Sequence, residues 1–173
     1  CSRQLAYITR LDRDGIPMKI PAGIAGAWTM ADHVTPEIVN FLIIGCQRCG
    51  TTWVDAALRE HPDVYLPPQK QTYFFDRHWE QGHRWYLDNF RGAMPSHKAV
   101  GEIATGYCLP DAVARMADLL PHVRLVMIMR HPLDRAWSYY WSRKADMGWK
   151  TFHQALEEEP DIVERGLYAD QVE

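Results

Sequence analysis

Short runs of apolar residues recur along the chain, and residues that interrupt regular structure follow each of them. The clearest run covers residues 41–44, reads Phe-Leu-Ile-Ile and ends at Gly45. A continuous apolar run of this length is typical of a buried strand. Similar patterns predict further strands at residues 64–66, 99–103 and 124–129.

Segments with apolar residues at helical spacing lie between these strands. Residues 51–60 place Trp53, Ala56, Ala57 and Leu58 at such spacing and stop before Pro62, which predicts a helix. Further helices are predicted at residues 82–90, 110–120, 132–145 and 162–173, and another begins at the capping-box residue Thr151. Strands that alternate with helices require crossover connections, so we predict an α/β fold with a parallel sheet.

Residues 1–40 do not follow this alternation. Asp14-Gly15 is a turn signal, and Pro17 and Pro21 argue against a long helix. We therefore treat residues 1–40 as an N-terminal extension of unclear role and residues 41–173 as the domain. Because the sequence starts at Cys1 and stops inside a predicted helix, we expect a fragment of a longer protein.

The segment between the first predicted strand and the first predicted helix has the composition of an anion-binding loop. Residues 45–52, called the anion loop below, read Gly-Cys-Gln-Arg-Cys-Gly-Thr-Thr. Backbone N–H groups and the positive end of a helix dipole converge in such a loop, and glycines let an anion approach closely. A loop for a Mg-triphosphate would carry lysine where Thr51 stands, so Arg48 is the cation of this loop.

A second motif follows the predicted strand at residues 124–129. Arg130 stands at its carboxyl end, Pro132 opens a helix, and Ser138 lies two turns into that helix. Ligands of open α/β sheets bind at the carboxyl ends of the strands. Arg130 and Ser138 can therefore hold one phosphate together.

These two motifs resemble those of the sulfotransferases that use 3′-phosphoadenosine 5′-phosphosulfate (PAPS). Residues 69–76, 82–86 and 101–107 are similar to the heparan-sulfate-type and bacterial branch of that family. The resemblance implies a P-loop-like three-layer α/β fold, with a central parallel sheet flanked by helices. It also implies that Arg130 and Ser138 bind the 3′-phosphate, while the 5′-phosphosulfate is bound by Arg48, Cys49, Gly50, Thr51 and Thr52.

The activity that this resemblance implies is transfer of the sulfuryl group from PAPS to a hydroxyl or amine, in line and without a metal. Arg48 would stabilise the charge on the bridging phosphate oxygen, and Lys70 would help to hold the sulfonate or the acceptor. The general base of the heparan-sulfate-type branch is a glutamate at the position of Gln71, and an amide cannot serve as a base. Other candidates for the base are His78, His83, Asp76 and Glu102.

Aromatic residues are concentrated near Lys70 and Gln71. They are Tyr73, Phe74, Phe75, Trp79, Trp85 and Tyr86. Rings at this density suit either the wall of an acceptor pocket or a hydrophobic core.

Three other functions are weighed against this one. Cys46 and Cys49 form a Cys-x-x-Cys pair before a helix, as in thiol oxidoreductases. The surrounding glycines and threonines and the Arg130 motif argue against that function, and no second paired cluster indicates zinc. A P-loop kinase is opposed by the missing lysine. A non-catalytic PAPS-binding relative is favoured by Gln71.

The composition and charge of the chain limit the classes of molecule that it is expected to bind. The net charge is −3 and no basic tract is visible, so neither nucleic acid nor a heparin-like polyanion is favoured. We expect a small-molecule or glycan acceptor. No long apolar segment or signal sequence is visible, so we expect a cytoplasmic protein with no membrane partner.

Overall fold

The structure is a computed structural model that describes residues 6–8 and 34–172. The turn signal at Asp14-Gly15, the prolines Pro17 and Pro21 and the residue Cys1 lie outside the described residues. The division of the chain at residue 41 stays a prediction.

Five strands form one sheet, in the order β1-β5-β2-β4-β3. Strands β2 to β5 run parallel to their neighbours, and β1 pairs antiparallel with β5. The predicted α/β fold, a P-loop-like three-layer arrangement with a central parallel sheet flanked by helices, is confirmed. The strands are β1 (Ala6–Ile8), β2 (Phe41–Gly45), β3 (Val64–Tyr65), β4 (Ala99–Ile103) and β5 (Arg124–Ile128).

Helices connect the parallel strands and follow the last of them. The first four are α1 (Thr51–Arg59), α2 (Phe74–Arg77), α3 (Gly82–Asp88) and α4 (Pro110–Leu119). The others are α5 (Pro132–Met147), α6 (Phe152–Glu158), α7 (Asp161–Glu164) and α8 (Ala169–Val172). Short 3₁₀ helices cover Pro36–Ile38 and Trp79–Gln81.

The central strand β2 brings the carboxyl ends of its two neighbours to one edge of the sheet. Ile43 in β2 is in register with Ile103 in β4 and with Val126 in β5. The loops after these strands therefore start side by side, and they carry Arg48, Thr105 and Arg130 respectively. This is the edge at which open α/β sheets bind ligands.

The close pairing of β2 and β4 depends on a glycine. A Cβ atom at Gly101 would overlap the carbonyl oxygen of Phe41, its partner in the neighbouring strand. A larger residue would push the two strands apart and displace the loops that follow them.

Two details of the predicted helices are wrong. In α1, Trp53 is 75% exposed, whereas Val54 and Leu58 pack on the core. The single helix predicted at residues 162–173 is two short helices, because the chain turns between α7 and α8. Gly166 is buried in that turn, and a Cβ there would make a tight contact of 3.1 Å with the carbonyl oxygen of Val163.

The aromatic residues that follow Gln71 mainly form core. Phe74, Phe75 and Tyr86 are fully buried, and the Phe74 ring stacks on the Tyr86 ring at a centroid distance of 4.7 Å. Trp79 and Trp85 pack against this cluster. The cluster fixes the segment that carries Lys70 and Gln71 against the rest of the domain.

Candidate active site

The anion loop has the backbone conformation of an anion-binding loop. Arg48 and Gly50 both have positive φ angles, 68° and 90°. A positive φ is uncommon for arginine and costs free energy, and such residues cluster at functional sites. Left-handed residues are common in loops that bind anions, although the N–H of Cys49, between these two, donates to the carbonyl oxygen of Cys46 at 3.2 Å.

The helix that follows the loop is open at its N-terminus. Its N-cap residue is Gly50, so no side chain caps the helix. The first turn of a helix has backbone N–H groups without intrahelical partners, together with the positive end of the helix dipole. An anion held in the loop would satisfy these groups.

A pocket of about 290 Å³ opens in front of the loop, near the lower end of the range for small-molecule sites. We call it the loop pocket. Its lining combines cations, hydroxyls and amides from four parts of the chain. The lining residues are Gln47, Arg48, Thr51, Thr52, Lys70, Gln71, Thr105, Tyr139, Ser142 and Arg143.

Arg48 connects the two sequence motifs. Its Nε donates a hydrogen bond to the hydroxyl of Ser138 on α5, at 3.3 Å. The guanidinium itself is solvent-exposed and lies at the edge of the loop pocket. The structure thus brings together the predicted cation of the anion loop and the predicted phosphate-binding serine.

Lys70 lies over the first turn of α1. Its Nζ donates to the hydroxyls of Thr52 at 2.9 Å and Thr51 at 3.4 Å. Partial burial lowers the pKa of the Lys70 ammonium, and the negative charge of Asp55 opposes that shift. A second cation therefore stands beside the anion loop, within 3.4 Å of the hydroxyl of Thr51, the residue that replaces the lysine of a nucleoside-triphosphate loop.

Gln71 also lines the pocket, next to Lys70. Its Oε1 accepts hydrogen bonds from the backbone N–H of Thr105 at 3.1 Å and from the Thr105 hydroxyl at 3.3 Å. Gln71 is thereby fixed to the loop that follows β4. The structure brings the predicted base position to the pocket with an amide in that place.

The candidate base Glu102 is enclosed. It is fully buried and accepts hydrogen bonds from the Thr72 backbone N–H, the Thr72 hydroxyl and the Tyr107 hydroxyl, at 3.0, 3.2 and 2.8 Å. Burial raises the pKa of Glu102 to about 7, and these donors partly oppose the shift. Glu102 does not line the loop pocket, and it anchors the segment that carries Lys70 and Gln71.

The remaining candidate bases lie elsewhere. His83 contacts the rings of Phe74 and Trp79, and His78 packs edge-on against Trp85. Neither histidine is among the residues that line the loop pocket. Asp76 is also absent from that lining and lies 3.8 Å from the Arg77 guanidinium.

Arg130 stands just beyond β5, at the ligand-binding edge of the sheet. Its backbone carbonyl accepts a hydrogen bond from the Tyr168 hydroxyl at 2.9 Å. This bond ties the strand end to the chain segment before α8. Ser138 lies about one and a half turns inside α5, and neither Arg130 nor Ser138 is among the residues that line the loop pocket.

Three cysteines form a buried cluster, two of them in the anion loop and the third, Cys108, in the segment after β4. Cys46, Cys49 and Cys108 are each at most 5% exposed. A hydrogen bond from Cys46 lowers the pKa of Cys49 to about 6 and that of Cys108 to about 7, while these bonds raise the pKa of Cys46. Among the described residues, no group of three or more histidine, cysteine or acidic side chains could hold a metal ion.

Sequence reasoning missed the wall that α5 gives to the pocket. Tyr139, Ser142 and Arg143 line it, together with Thr105 after β4. Helical spacing was an available signal, because Ser142 lies one turn beyond Ser138.

The helices within residues 6–8 and 34–172 were also compared with the requirements of a membrane span. None of them combines the length and the hydrophobicity that a transmembrane helix needs.

Comparison with known proteins gives consistent results. One relative is the Homo sapiens protein named bifunctional heparan sulfate N-deacetylase/N-sulfotransferase 3. It is 30% identical over 142 residues, which cover 76% of this chain and 15% of that protein. Membrane-associated sulfotransferase kil1 of Dictyostelium discoideum is 27% identical over 135 residues, which cover 72% of this chain and 29% of that protein. The chain spans less than a third of the length of these curated relatives.

A solved structure and a family model extend this result. The crystal structure of a sulfotransferase from Alicyclobacillus acidocaldarius is similar with a TM-score of 0.67 and 29% identity, over 78% of this chain and 66% of that one. The model of the sulfotransferase domain matches residues 36–173. With its parallel sheet, its anion loop and this match, the chain belongs to the sulfotransferase domain family.

Proposed function

We propose that this protein transfers the sulfuryl group of PAPS to a hydroxyl or amine in the loop pocket. The observation that carries the proposal is the contact between Arg48 and Ser138. The anion loop and the second motif have separate predicted tasks, and this hydrogen bond joins them at 3.3 Å. One nucleotide with two phosphate positions can use both motifs at once.

The residues present fit the phosphosulfate. The left-handed residues Arg48 and Gly50 and the open start of α1 supply N–H donors, and Lys70 adds an ammonium. The described lining of the loop pocket contains no carboxylate that would repel an anion. PAPS therefore suits this pocket by charge as well as by hydrogen bonding.

The chemistry needs stabilisation of one oxygen. As the acceptor attacks sulfur, the bond from sulfur to the bridging phosphate oxygen breaks, and negative charge grows on that oxygen. Fixed donors at that position lower the barrier, because they are oriented before the reaction starts. Arg48 and the first N–H groups of α1 would supply these donors, with Thr51 and Thr52 as further hydroxyl donors, and Lys70 would hold the sulfonate. This route uses no metal.

We assign the 3′-phosphate to Arg130 and Ser138. Cations and hydroxyls hold phosphate through charge-assisted hydrogen bonds, which are about twice as strong as neutral ones. Gly50 and the threonines would contact the 5′ end through the backbone, whereas the predicted contact from Cys49 is opposed by its N–H, which donates to the carbonyl oxygen of Cys46 at 3.2 Å.

The acceptor is a small molecule or a glycan in this proposal. Relatives that match this chain include a human protein named as a heparan sulfate glucosamine 3-O-sulfotransferase, 26% identical over 133 residues. That name applies to the relative, and the net charge of −3 of this chain favours a less anionic acceptor than heparin. The cytoplasmic location stays a prediction.

The decisive experiment measures binding of PAP, the desulfated nucleotide, by calorimetry. We expect saturable binding that Arg130→Ala weakens, followed by formation of a labelled sulfate ester in an acceptor screen with radiolabelled PAPS. Unchanged PAP affinity in Arg130→Ala would contradict the 3′-phosphate assignment. No PAP binding by the wild-type protein would contradict the proposed function itself.

A second candidate is a PAPS-binding relative without catalysis. It is favoured by Gln71, which takes the place of the family's glutamate and whose Oε1 is occupied by Thr105. Tight PAP binding together with no sulfate ester from any acceptor would support this second function.

A further inference from the structure

The carboxamide of Gln71 has a defined orientation. A backbone N–H can only donate, so the atom that faces the Thr105 N–H at 3.1 Å is the amide oxygen. The Thr105 hydroxyl occupies the same oxygen at 3.3 Å. The amide N–H₂ group is then the end of Gln71 that remains for a ligand of the loop pocket.

The described lining of the loop pocket offers nothing that takes up a proton near neutral pH, apart from Lys70 in its neutral form. It consists of amides, hydroxyls, one phenol and three cations, with neither carboxylate nor imidazole. The nearby carboxylate of Glu102 is fully buried and holds three hydrogen bonds. Lys70 donates to two threonine hydroxyls, as an ammonium does.

Positive charge dominates the same pocket. Arg48 and Lys70 lie on the side of the anion loop, where Asp55 faces Lys70, and Arg143 lies on the α5 side, 3.6 Å from the carboxylate of Asp146; neither aspartate lines the pocket. Nearby positive charges favour the ionised form of an acidic group. The N–H₂ group of Gln71 adds a donor that suits an oxyanion better than a hydroxyl proton.

We propose that the acceptor enters the loop pocket as an oxyanion, and that the substrates are acidic hydroxyl compounds of the phenol class. This inference rests on the proposed function. The acceptor loses its proton to solvent before transfer. Its oxyanion forms the O–S bond, the bond from sulfur to the bridging phosphate oxygen breaks, and PAP leaves with that electron pair. No proton has to move to the protein.

The test compares acceptors of different acidity with wild-type protein and PAPS. A series of para-substituted phenols is assayed for sulfate ester across a pH range, beside cyclohexanol as an alkyl alcohol. We expect the rate with each phenol to rise with pH until that phenol is ionised, and we expect no measurable ester from cyclohexanol. Cyclohexanol sulfated as fast as the phenols, or phenol rates that ignore their ionisation, would overturn the inference.

A second experiment uses the variant Gln71→Glu, which places a carboxylate in the loop pocket as a general base. We expect it to bring transfer to cyclohexanol from below the detection limit to a measurable rate, at least about a hundredfold above that limit, the usual effect of a general base. We expect it to reduce transfer to phenols, because a carboxylate repels the oxyanion. Gln81→Glu, which adds the same charge at an exposed position outside the pocket, serves as the matched control.

Two further outcomes separate this inference from the proposed function. If PAP binds and alkyl alcohols are sulfated by the wild type, the inference fails while the sulfotransferase function stands. If PAP does not bind, both fail. Thermal unfolding of Gln71→Glu checks that the variant is folded, and the wild-type phenol series does not depend on it.

Discussion

Arg48 and Ser138 are 90 positions apart in sequence, yet the Nε of Arg48 lies 3.3 Å from the Ser138 hydroxyl. Arg48 follows the central strand β2, whereas Ser138 belongs to the helix after its neighbour β5. The parallel pairing of these two strands is what makes the contact possible. The two ends of a PAPS molecule would thus be bound by one continuous surface.

Replacement of Arg48 by alanine tests this surface. We expect Arg48→Ala to weaken PAP binding by about tenfold to a hundredfold, the usual loss for a hydrogen bond that involves a charged group. Stability should change little, because Arg48 is exposed and its positive φ costs alanine about as much as arginine. Calorimetry with PAP and thermal unfolding measure the two effects.

The matched control for this variant is Arg84→Ala. Arg84 is an exposed arginine on α3, outside the loop pocket, where it faces Asp88 at 3.5 Å. It should bind PAP like the wild type. Equal losses of affinity in both variants would indicate a general effect of charge and would contradict a specific role for Arg48.

Lys70→Met should show whether Lys70 binds the sulfonate of PAPS or the part of the nucleotide that PAP retains. The ammonium of Lys70 lies over Thr51 and Thr52, and PAP lacks the sulfonate that would meet it. We expect kcat to fall about a hundredfold, as when one fixed transition-state donor is removed, with PAP affinity nearly unchanged. An equal loss of PAP affinity would assign Lys70 to the phosphate. Lys150→Met, at an exposed position outside the pocket, is the control.

The order of strand, loop and helix could be predicted from sequence because its signals are local. Four aliphatic or aromatic residues before Gly45 bury a strand, and Gly50 permits the turn into α1. The pocket wall formed by Tyr139 and Arg143 could not be predicted in this way. It depends on where α5 lies relative to the anion loop, which is a tertiary relationship.

The candidate bases His78 and His83 also show what sequence proximity fails to predict. His78 and His83 lie within a few residues of Gln71, and sequence distance made them candidates for the base. In the structure their rings contact Trp85 and Trp79, because α2 and α3 fold onto an aromatic core. Proximity along the chain gave no information about which face of the segment each side chain occupies.

Thiol labelling tests the oxidoreductase hypothesis. The pKa of Cys49 is lowered to about 6, so its thiolate would be reactive if a reagent could reach it. Cys49 is fully buried, and Cys46 and Cys108 are nearly so. We expect iodoacetamide to leave these three cysteines unmodified in the native protein and to label all three in urea, as read by peptide mass spectrometry.

A redox-active pair would behave differently. Rapid labelling of Cys46 or Cys49 in the native protein, or a Cys46–Cys49 disulfide that forms under mild oxidation and changes PAP affinity, would contradict a purely structural role. The control is the same labelling with PAP present. Protection that is already complete without PAP would show that the fold alone excludes the reagent.

The pH dependence of stability should report on Glu102. Burial raises its pKa from the ordinary value of 4.5 to about 7, so the folded state favours the protonated carboxyl. The protonated Glu102 carboxyl therefore makes its full contribution to the free energy of unfolding below pH 4.5, and this contribution is lost as the pH rises towards 7. Its size is about 3 kcal/mol, from 1.36 kcal/mol for each pKa unit.

Urea unfolding of wild-type protein and of Glu102→Gln between pH 4.5 and 8 measures this pH-dependent contribution of Glu102 to stability. The variant loses a hydrogen bond to the Thr72 backbone N–H, which is a cost independent of pH, but it has no carboxyl to ionise. We therefore expect its unfolding free energy to depend less on pH, so that the deficit relative to wild type shrinks as pH rises. Glu80→Gln, an exposed glutamate, should follow the wild type, and parallel curves for Glu102→Gln and wild type would contradict the raised pKa.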